Sequence, residues 1–291
     1  MLKKILFALT PAIAESQAVQ TLLHALETAQ IESILSTIHT PSPAYPPMSV
    51  PVTATLLASP GDCLMVTDSA TEIAAAKKEQ ILCIGYAPPE TNEDMSGAYA
   101  LFEDFTSVDV NYFRRMHAHG IGYPAEILTT KRLILREFSE ADFPKLYAMC
   151  TEPSTASFME ENLSDYETER DKHNAYLRNV YPFFDLALWG VYEKKTGALI
   201  GRAGFSLPEK DSDTFSLGYL IDVPYRKLGY AKELIPALLS YAKEQGYSEL
   251  SAYIKKENTA SITLLEHCCF PYKYEKDNAE ERITYTISFN E

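Results

Sequence analysis

Between an apolar run of strand length, Phe215-Ser216-Leu217-Gly218-Tyr219-Leu220-Ile221, and a helix-patterned run ending at Gly246 lies the loop Arg226-Lys227-Leu228-Gly229-Tyr230-Ala231, of the form Arg/Gln-x-x-Gly-x-Gly/Ala. Asp222-Val223-Pro224-Tyr225 supplies the turn out of the strand, and Leu234, Ile235, Leu238, Leu239 and Ala242 recur at helical spacing after it. A strand, a glycine turn and a helix in this order aim backbone N–H groups and the positive end of a helix dipole at one place, which suits a pyrophosphate. Gly229 lets the backbone approach without a Cβ in the way. The pattern alone is loose, and its context carries it. Pro236 inside the helix removes one hydrogen bond, at about 3 kcal/mol where nothing compensates, and predicts a kink.

The first 125 residues read differently. Leu2 to Leu9 reads as a buried strand, and Ser16 to Gln30 reads as a helix with Val19, Leu22, Leu23 and Leu26 on one face. A strand at Cys63–Thr67, a helix from Ala70 to Lys77 and a strand at Ile81–Tyr86 follow. Such alternation implies a parallel sheet with covering helices. Six prolines between Pro41 and Pro60 mark a connector without much regular structure. Gly120-x-Gly122 ahead of Pro124 reads as a domain boundary, giving domains at 1–125 and 126–291.

With 46% hydrophobic residues in 291, both domains have enough apolar material for a core. The net charge of −14 divides equally, −7 in each half. That excess discourages nucleic acid and anionic membranes as partners and is compatible with a cationic one. Five cysteines without C-x-x-C spacing fit a reducing cytoplasm. Lys3-Lys4, the apolar residues to Ala14 and Ala12-Ile13-Ala14 have the outline of a signal peptide, but Pro11 interrupts it. His117-x-His119 lacks a spaced third ligand and reads as an exposed helix end between domains, with no metal expected.

From Thr129 to Phe289 the order of elements resembles the GNAT acetyltransferases, most closely their ribosomal-protein N-terminal acetyltransferase branch. Four segments carry the resemblance: Thr130–Arg136, Leu199–Phe205, Gly218–Ala231 and Asn258-Thr259-Ala260-Ser261 leading to Phe270. It implies a mixed sheet with two parallel strands splayed apart and acetyl-CoA as donor in the gap. The backbone of Tyr219, Leu220 and Ile221 would pair with the pantetheine arm. Arg226, Lys227, Leu228, Gly229, Tyr230 and Ala231 would cradle the pyrophosphate, and Asn258 would bond the arm from the other side. A primary amine would attack the thioester directly in a ternary complex, its acceptor being a protein N-terminus or a small molecule such as a polyamine.

Four positions depart from the family pattern. The glutamate base of some members falls at Tyr253, the tyrosine that protonates the leaving thiolate at Leu265, an acidic position at Ser216 and a glycine at Cys269. Proton transfer is therefore assigned to Tyr253 and Glu161. Glu160 and Glu161 lie where the family builds its acceptor wall, although a solvated acidic turn and a packing tyrosine are the simpler readings. Tyr176, Tyr181, Phe183 and Phe184 read as core packing or as the lining of the acceptor slot. Ser139 and Asp142 read as a capped helix start.

The N-terminal half resembles a degenerate, truncated haloacid dehalogenase (HAD)-like domain. Phe7 to Ser16 looks like the first motif of that superfamily, and Val66-Thr67-Asp68-Ser69 with Ala74–Lys77 looks like its late acidic motif. The catalytic aspartates fall at Ala8 and Thr10, so neither an aspartyl-phosphate nor a general acid is available. An α/β domain thus precedes an α+β domain, the first a scaffold, an acceptor-recognition element or a dimerisation surface. Two other readings compete: a non-catalytic acetyl-CoA or CoA binder, and a Mg-dependent phosphohydrolase built on Asp68. Oligomeric state is not fixed by the sequence.

Overall fold

The computed structural model describes residues 2–38, 60–159, 163–181, 187–206, 214–268, 273–275 and 282–289. The chain divides into two compact units, Met1–Ala125 and Glu126–Glu291.

Unit 1 is an all-parallel sheet of β1 (Lys4–Leu9), β2 (Glu32–Thr37), β3 (Cys63–Thr67), β4 (Leu82–Tyr86) and β5 (Ala100–Phe102), in the order β2-β1-β3-β4-β5. Its helices are α1 (Pro11–Ala14), α2 (Gln17–Thr28), α3 (Ala70–Lys78) and α4 (Val110–Gly120). Residues of β1 alternate between two cores: Ile5, Phe7 and Leu9 pack with α2 and α4 residues, while Leu6 and Ala8 pack with Ile73 and Ala76 of α3. Burial on both faces is why this strand is apolar from Ile5 to Leu9. Ser16 caps α2 by accepting the Val19 N–H.

Two strands of this sheet, β2 and β5, escaped the sequence reading. β2 lies at an edge, is half buried and mixes polar with apolar residues, and β5 is only three residues long. His117 is a correction. Only 1% of it is exposed, so it is no exposed helix end, and its Nε2 has no hydrogen-bond partner among the described residues.

Unit 2 has β6 (Glu126–Thr129), β7 (Leu133–Arg136), α5 (Phe143–Thr151), α6 (Pro153–Ala156), α7 (Tyr166–Asn179), β8 (Leu188–Glu193), β9 (Leu199–Ser206), β10 (Phe215–Ile221), α8 (Tyr230–Glu244), β11 (Glu249–Lys255), α9 (Thr259–Cys268), β12 (Lys273–Glu275) and β13 (Arg282–Ser288). The sheet order is β12-β13-β11-β10-β9-β8-β7-β6, antiparallel except for β10 and β11. Leu234, Ile235, Leu238, Leu239 and Ala242 of α8 are all buried in one core, where Trp189 meets Phe205 and Tyr241 edge to face. α8 runs on through Pro236. Ser139 and Asp142 form a reciprocal capping box. Among the described residues no helix is long and apolar enough to cross a membrane.

Candidate active site

β10 and β11 run parallel, joined through α8, but among the described residues their registered pairing comprises only Phe215 with Leu250 and Ser216 with Ser251. β10 then continues to Ile221 and β11 to Lys255, each fixed on its far side by an antiparallel neighbour. β9 holds β10 from Ser216↔Ser206 to Ile221↔Gly201, and β13 holds β11 from Glu249↔Ser288 to Lys255↔Arg282. The result is a wedge with backbone for walls, where peptide groups need partners. Gly201 makes the β9 side possible, since a Cβ there would stand 2.3 Å from the Leu220 carbonyl oxygen.

The strand ends in a braced turn. The N–H of Asp222 donates to the Ile200 carbonyl, and its buried carboxylate pairs with Lys145 of α5. Lys227 (φ 63°) and Gly229 (φ 81°) both adopt the left-handed region, which costs a residue with a Cβ about 1–2 kcal/mol and glycine nothing. α8 then starts at Tyr230 with no side chain capping it. Among the described residues, the N–H groups of Leu228, Gly229, Tyr230, Ala231 and Lys232 have no hydrogen-bond partner. Unsatisfied donors at the positive end of a fifteen-residue helix make an anion site.

Arg226 behaves otherwise than expected. Its Nε donates to the Ile221 carbonyl (2.9 Å), Nη1 to Ser154 Oγ (2.9 Å) and Nη2 to Thr155 Oγ1 (2.6 Å). The guanidinium thus ties the end of β10 to α6 instead of facing an anion, and it occupies the carbonyl that Ile221 would have offered a pantetheine amide. Asn258 is also partly committed: its Oδ1 caps α9 by accepting the Ser261 N–H (3.1 Å), leaving Nδ2 as donor.

Of the two expected proton carriers, Tyr253 is 38% exposed on the face of β11 opposite to buried Leu250, Ala252 and Ile254. Lys255, on the Tyr253 face, donates from Nζ to the carbonyls of Ser157 and Met159, which brings the end of the α6 segment to this side of the strand. Glu160 and Glu161 lie outside the described residues, as do Phe183, Phe184, Cys269 and Phe270. Leu265 is 2% exposed and lines a cavity of about 30 Å³ with Leu217, Ile235, Leu239, Leu250 and Ala252, so an apolar contact stands where a proton donor would be needed. Tyr176 and Tyr181 are structural. Tyr181 accepts the Phe138 N–H and donates to the Leu188 carbonyl, Tyr176 accepts the Leu188 N–H, and burial pushes both phenols up.

Sequence reasoning missed a polar cluster behind the loop. Glu233, in the first turn of α8, accepts from Thr130 Oγ1, the Arg132 N–H and Arg132 Nε. Burial pushes its carboxyl up, but these hydrogen bonds outweigh burial and hold it below the usual range. The Tyr230 hydroxyl donates to Glu193, and that bond lowers the Glu193 carboxyl. Thr130 to Arg136 was legible as the opening of the domain. Nothing in the spacing pairs Arg132 with a residue 101 positions away.

The corresponding place in unit 1 is filled. Asp68, just past β3, accepts the Thr10 N–H on both oxygens (3.1 and 3.2 Å) and the Thr10 hydroxyl (2.6 Å). Glu93 accepts the Ala70 N–H at the start of α3 (3.1 Å). Among the described residues no cluster of three or more His, Cys, Asp or Glu could hold a metal ion.

A family profile described as acetyltransferase (GNAT) domain matches residues 132–270. The chain is 28% identical over 141 residues to the uncharacterized N-acetyltransferase YoaA of Bacillus subtilis, covering 48% of this chain and 79% of that one. It is 26% identical over 153 residues to the uncharacterized N-acetyltransferase p20 of Bacillus licheniformis, covering 50% and 82%. Among solved structures, spermidine N-acetyltransferase from Vibrio cholerae in complex with CoA and spermine is 17% identical, covers 54% of this chain and 95% of that chain, and aligns with a TM-score of 0.47.

Proposed function

We propose that this protein, an acetyltransferase whose residues 132–270 form a GNAT domain, takes acetyl-CoA into the wedge between β10 and β11 and transfers the acetyl group to a primary amine. One observation carries the reading: the wedge opens toward the loop whose five consecutive N–H groups lack partners among the described residues. A pantetheine arm is a chain of amides that suits backbone walls, and its pyrophosphate suits the start of α8. Leu228, Gly229, Tyr230, Ala231 and Lys232 would bind through the backbone, with Lys227 contributing charge, while Arg226 holds the loop. Asn258 Nδ2 remains able to meet the arm.

In the wedge a backbone N–H of β10 would polarise the thioester carbonyl. The amine arrives as ammonium and must lose a proton first. Tyr253 and Glu161 are the proposed carriers, Tyr253 directly or through water. Leu265 cannot donate, but a thiol of pKa about 8.5 leaves as its thiolate without one. The excess of acidic residues, −14 overall, favours a cationic acceptor such as a protein N-terminus or a polyamine. Unit 1 is proposed to be non-catalytic. Ala8 and Thr10 carry no carboxylate, and Asp68 and Glu93 already occupy its N–H groups. A cytoplasmic location agrees with the buried free thiols of Cys63, Cys83 and Cys150.

Calorimetric titration with acetyl-CoA tests this first. Micromolar binding is expected, followed by thiol release in a screen of N-terminal peptides, polyamines and amino sugars. Absence of binding by the intact chain would defeat the reading.

A further inference from the structure

We infer that Arg132 is a positioning residue that sets the direction of the phosphate loop's N–H groups, acting through geometry and not through its charge. This rests on the acetyl-CoA reading above. Arg132 engages three groups of the loop and its helix: Nε bonds Glu233 Oε2 at 2.6 Å, Nη1 donates to the Leu228 carbonyl at 3.0 Å, and the guanidinium carbon lies 4.3 Å from the centre of the Tyr230 ring. Its own backbone is held as firmly. Its N–H donates to Glu233 Oε1 at 2.7 Å, and its carbonyl accepts the Lys194 N–H at 2.8 Å.

The consequence follows from the planarity of the peptide bond. In a trans peptide the carbonyl and the next N–H point in opposite directions, so fixing the Leu228 oxygen on Arg132 turns the Gly229 N–H away from Arg132. Gly229 is left-handed and can rotate more freely than any other residue of the loop, so this peptide is the one that most needs an external hold. Tyr230 is then gripped from both ends, its ring under the guanidinium and its hydroxyl on Glu193, which fixes the first residue of α8. Glu233 meanwhile offsets the positive charge of Arg132, so little net attraction for a phosphate remains. A lysine has the charge but not the planar fork that reaches a carboxylate, a carbonyl and a ring together.

The test separates the loop from the rest of the donor site. Acetyl-CoA and S-acetylpantetheine, which lacks the pyrophosphate, are bound to wild type, Arg132→Lys and Arg132→Met. Acetyl-CoA is followed by calorimetry and the truncated donor by its displacement of acetyl-CoA at millimolar concentration, with melting curves for each variant. Both variants should bind acetyl-CoA about tenfold more weakly or worse, while affinity for S-acetylpantetheine changes by less than about twofold. Rescue by lysine would overturn the geometric role in favour of charge. Equal affinity in all three proteins, or parallel loss of both ligands, would overturn the role altogether. If Arg132→Met does not melt cooperatively, Arg132→Lys decides alone. Failure of the wild type to bind acetyl-CoA is a different result, because it removes the functional reading itself.

Discussion

In both units a helix begins just beyond the carboxyl end of a parallel strand, and the two places are filled differently. In unit 1, Glu93 sits on the Ala70 N–H at the start of α3, and Asp68 sits on the N–H and hydroxyl of Thr10 at the start of α1. At the start of α8 in unit 2, Glu233 is held by Thr130 and Arg132 and Glu193 by the Tyr230 hydroxyl, and among the described residues the loop N–H groups stay open. The contrast teaches that a strand–turn–helix crossover offers an anion site by default. Whether a ligand can use it depends on whether the chain's own acids get there first.

The largest test of this contrast is Gly229→Trp. At φ 81° any side chain is strained, and an indole there would cover the helix start, so acetyl-CoA affinity should fall by more than about 100-fold in calorimetry. Affinity kept within about threefold would place the anion elsewhere.

Asp68→Ala probes the filled site. It leaves the Thr10 N–H without its acceptor and should destabilise unit 1 by about 1–3 kcal/mol in urea unfolding, with no change in acetyl-CoA affinity. A drop in that affinity would break the separation between the two sites. The only tryptophan, Trp189, reports on unit 2, so unit 1 must be followed by amide hydrogen exchange.

The smallest expected effect is a pH dependence confined to unit 1. Burial lowers the pKa of His117 below its ordinary 6.5. The unfolded chain therefore takes up the proton first, and stability that is fully present above about 6.5 is lost as pH falls toward the folded value. Hydrogen-exchange protection of unit 1 should weaken between about pH 7.5 and 5.5, and His117→Phe should flatten that slope. An unchanged slope in the variant would assign the titration to another group.

Local signals made much of this molecule legible. The helical spacing of Leu234, Ile235, Leu238, Leu239 and Ala242, the Ser139–Asp142 capping box and the special place of Gly229 all arise from residues within a few positions of one another. β2 and β5 were not legible, because short or half-buried strands carry little periodicity. His117 read as exposed because no third ligand is spaced to join it, whereas its place on the buried face of α4 depends on what packs against that face.

The candidate site divides the same way. The sequence by itself determined that a strand, a left-handed glycine and a long amphipathic helix follow one another, since φ freedom and 3.6-residue periodicity are properties of neighbouring residues. Only the tertiary structure decided that β10 leaves β11 after two residues, that Arg226 turns to Ile221, Ser154 and Thr155, and that Arg132 takes the Leu228 carbonyl. Ser154 and Thr155 lie 72 and 71 residues from Arg226, and Leu228 lies 96 from Arg132. A hydrogen bond depends on distances of a few ångströms in space, and sequence order fixes such distances only within a single helix, strand or turn.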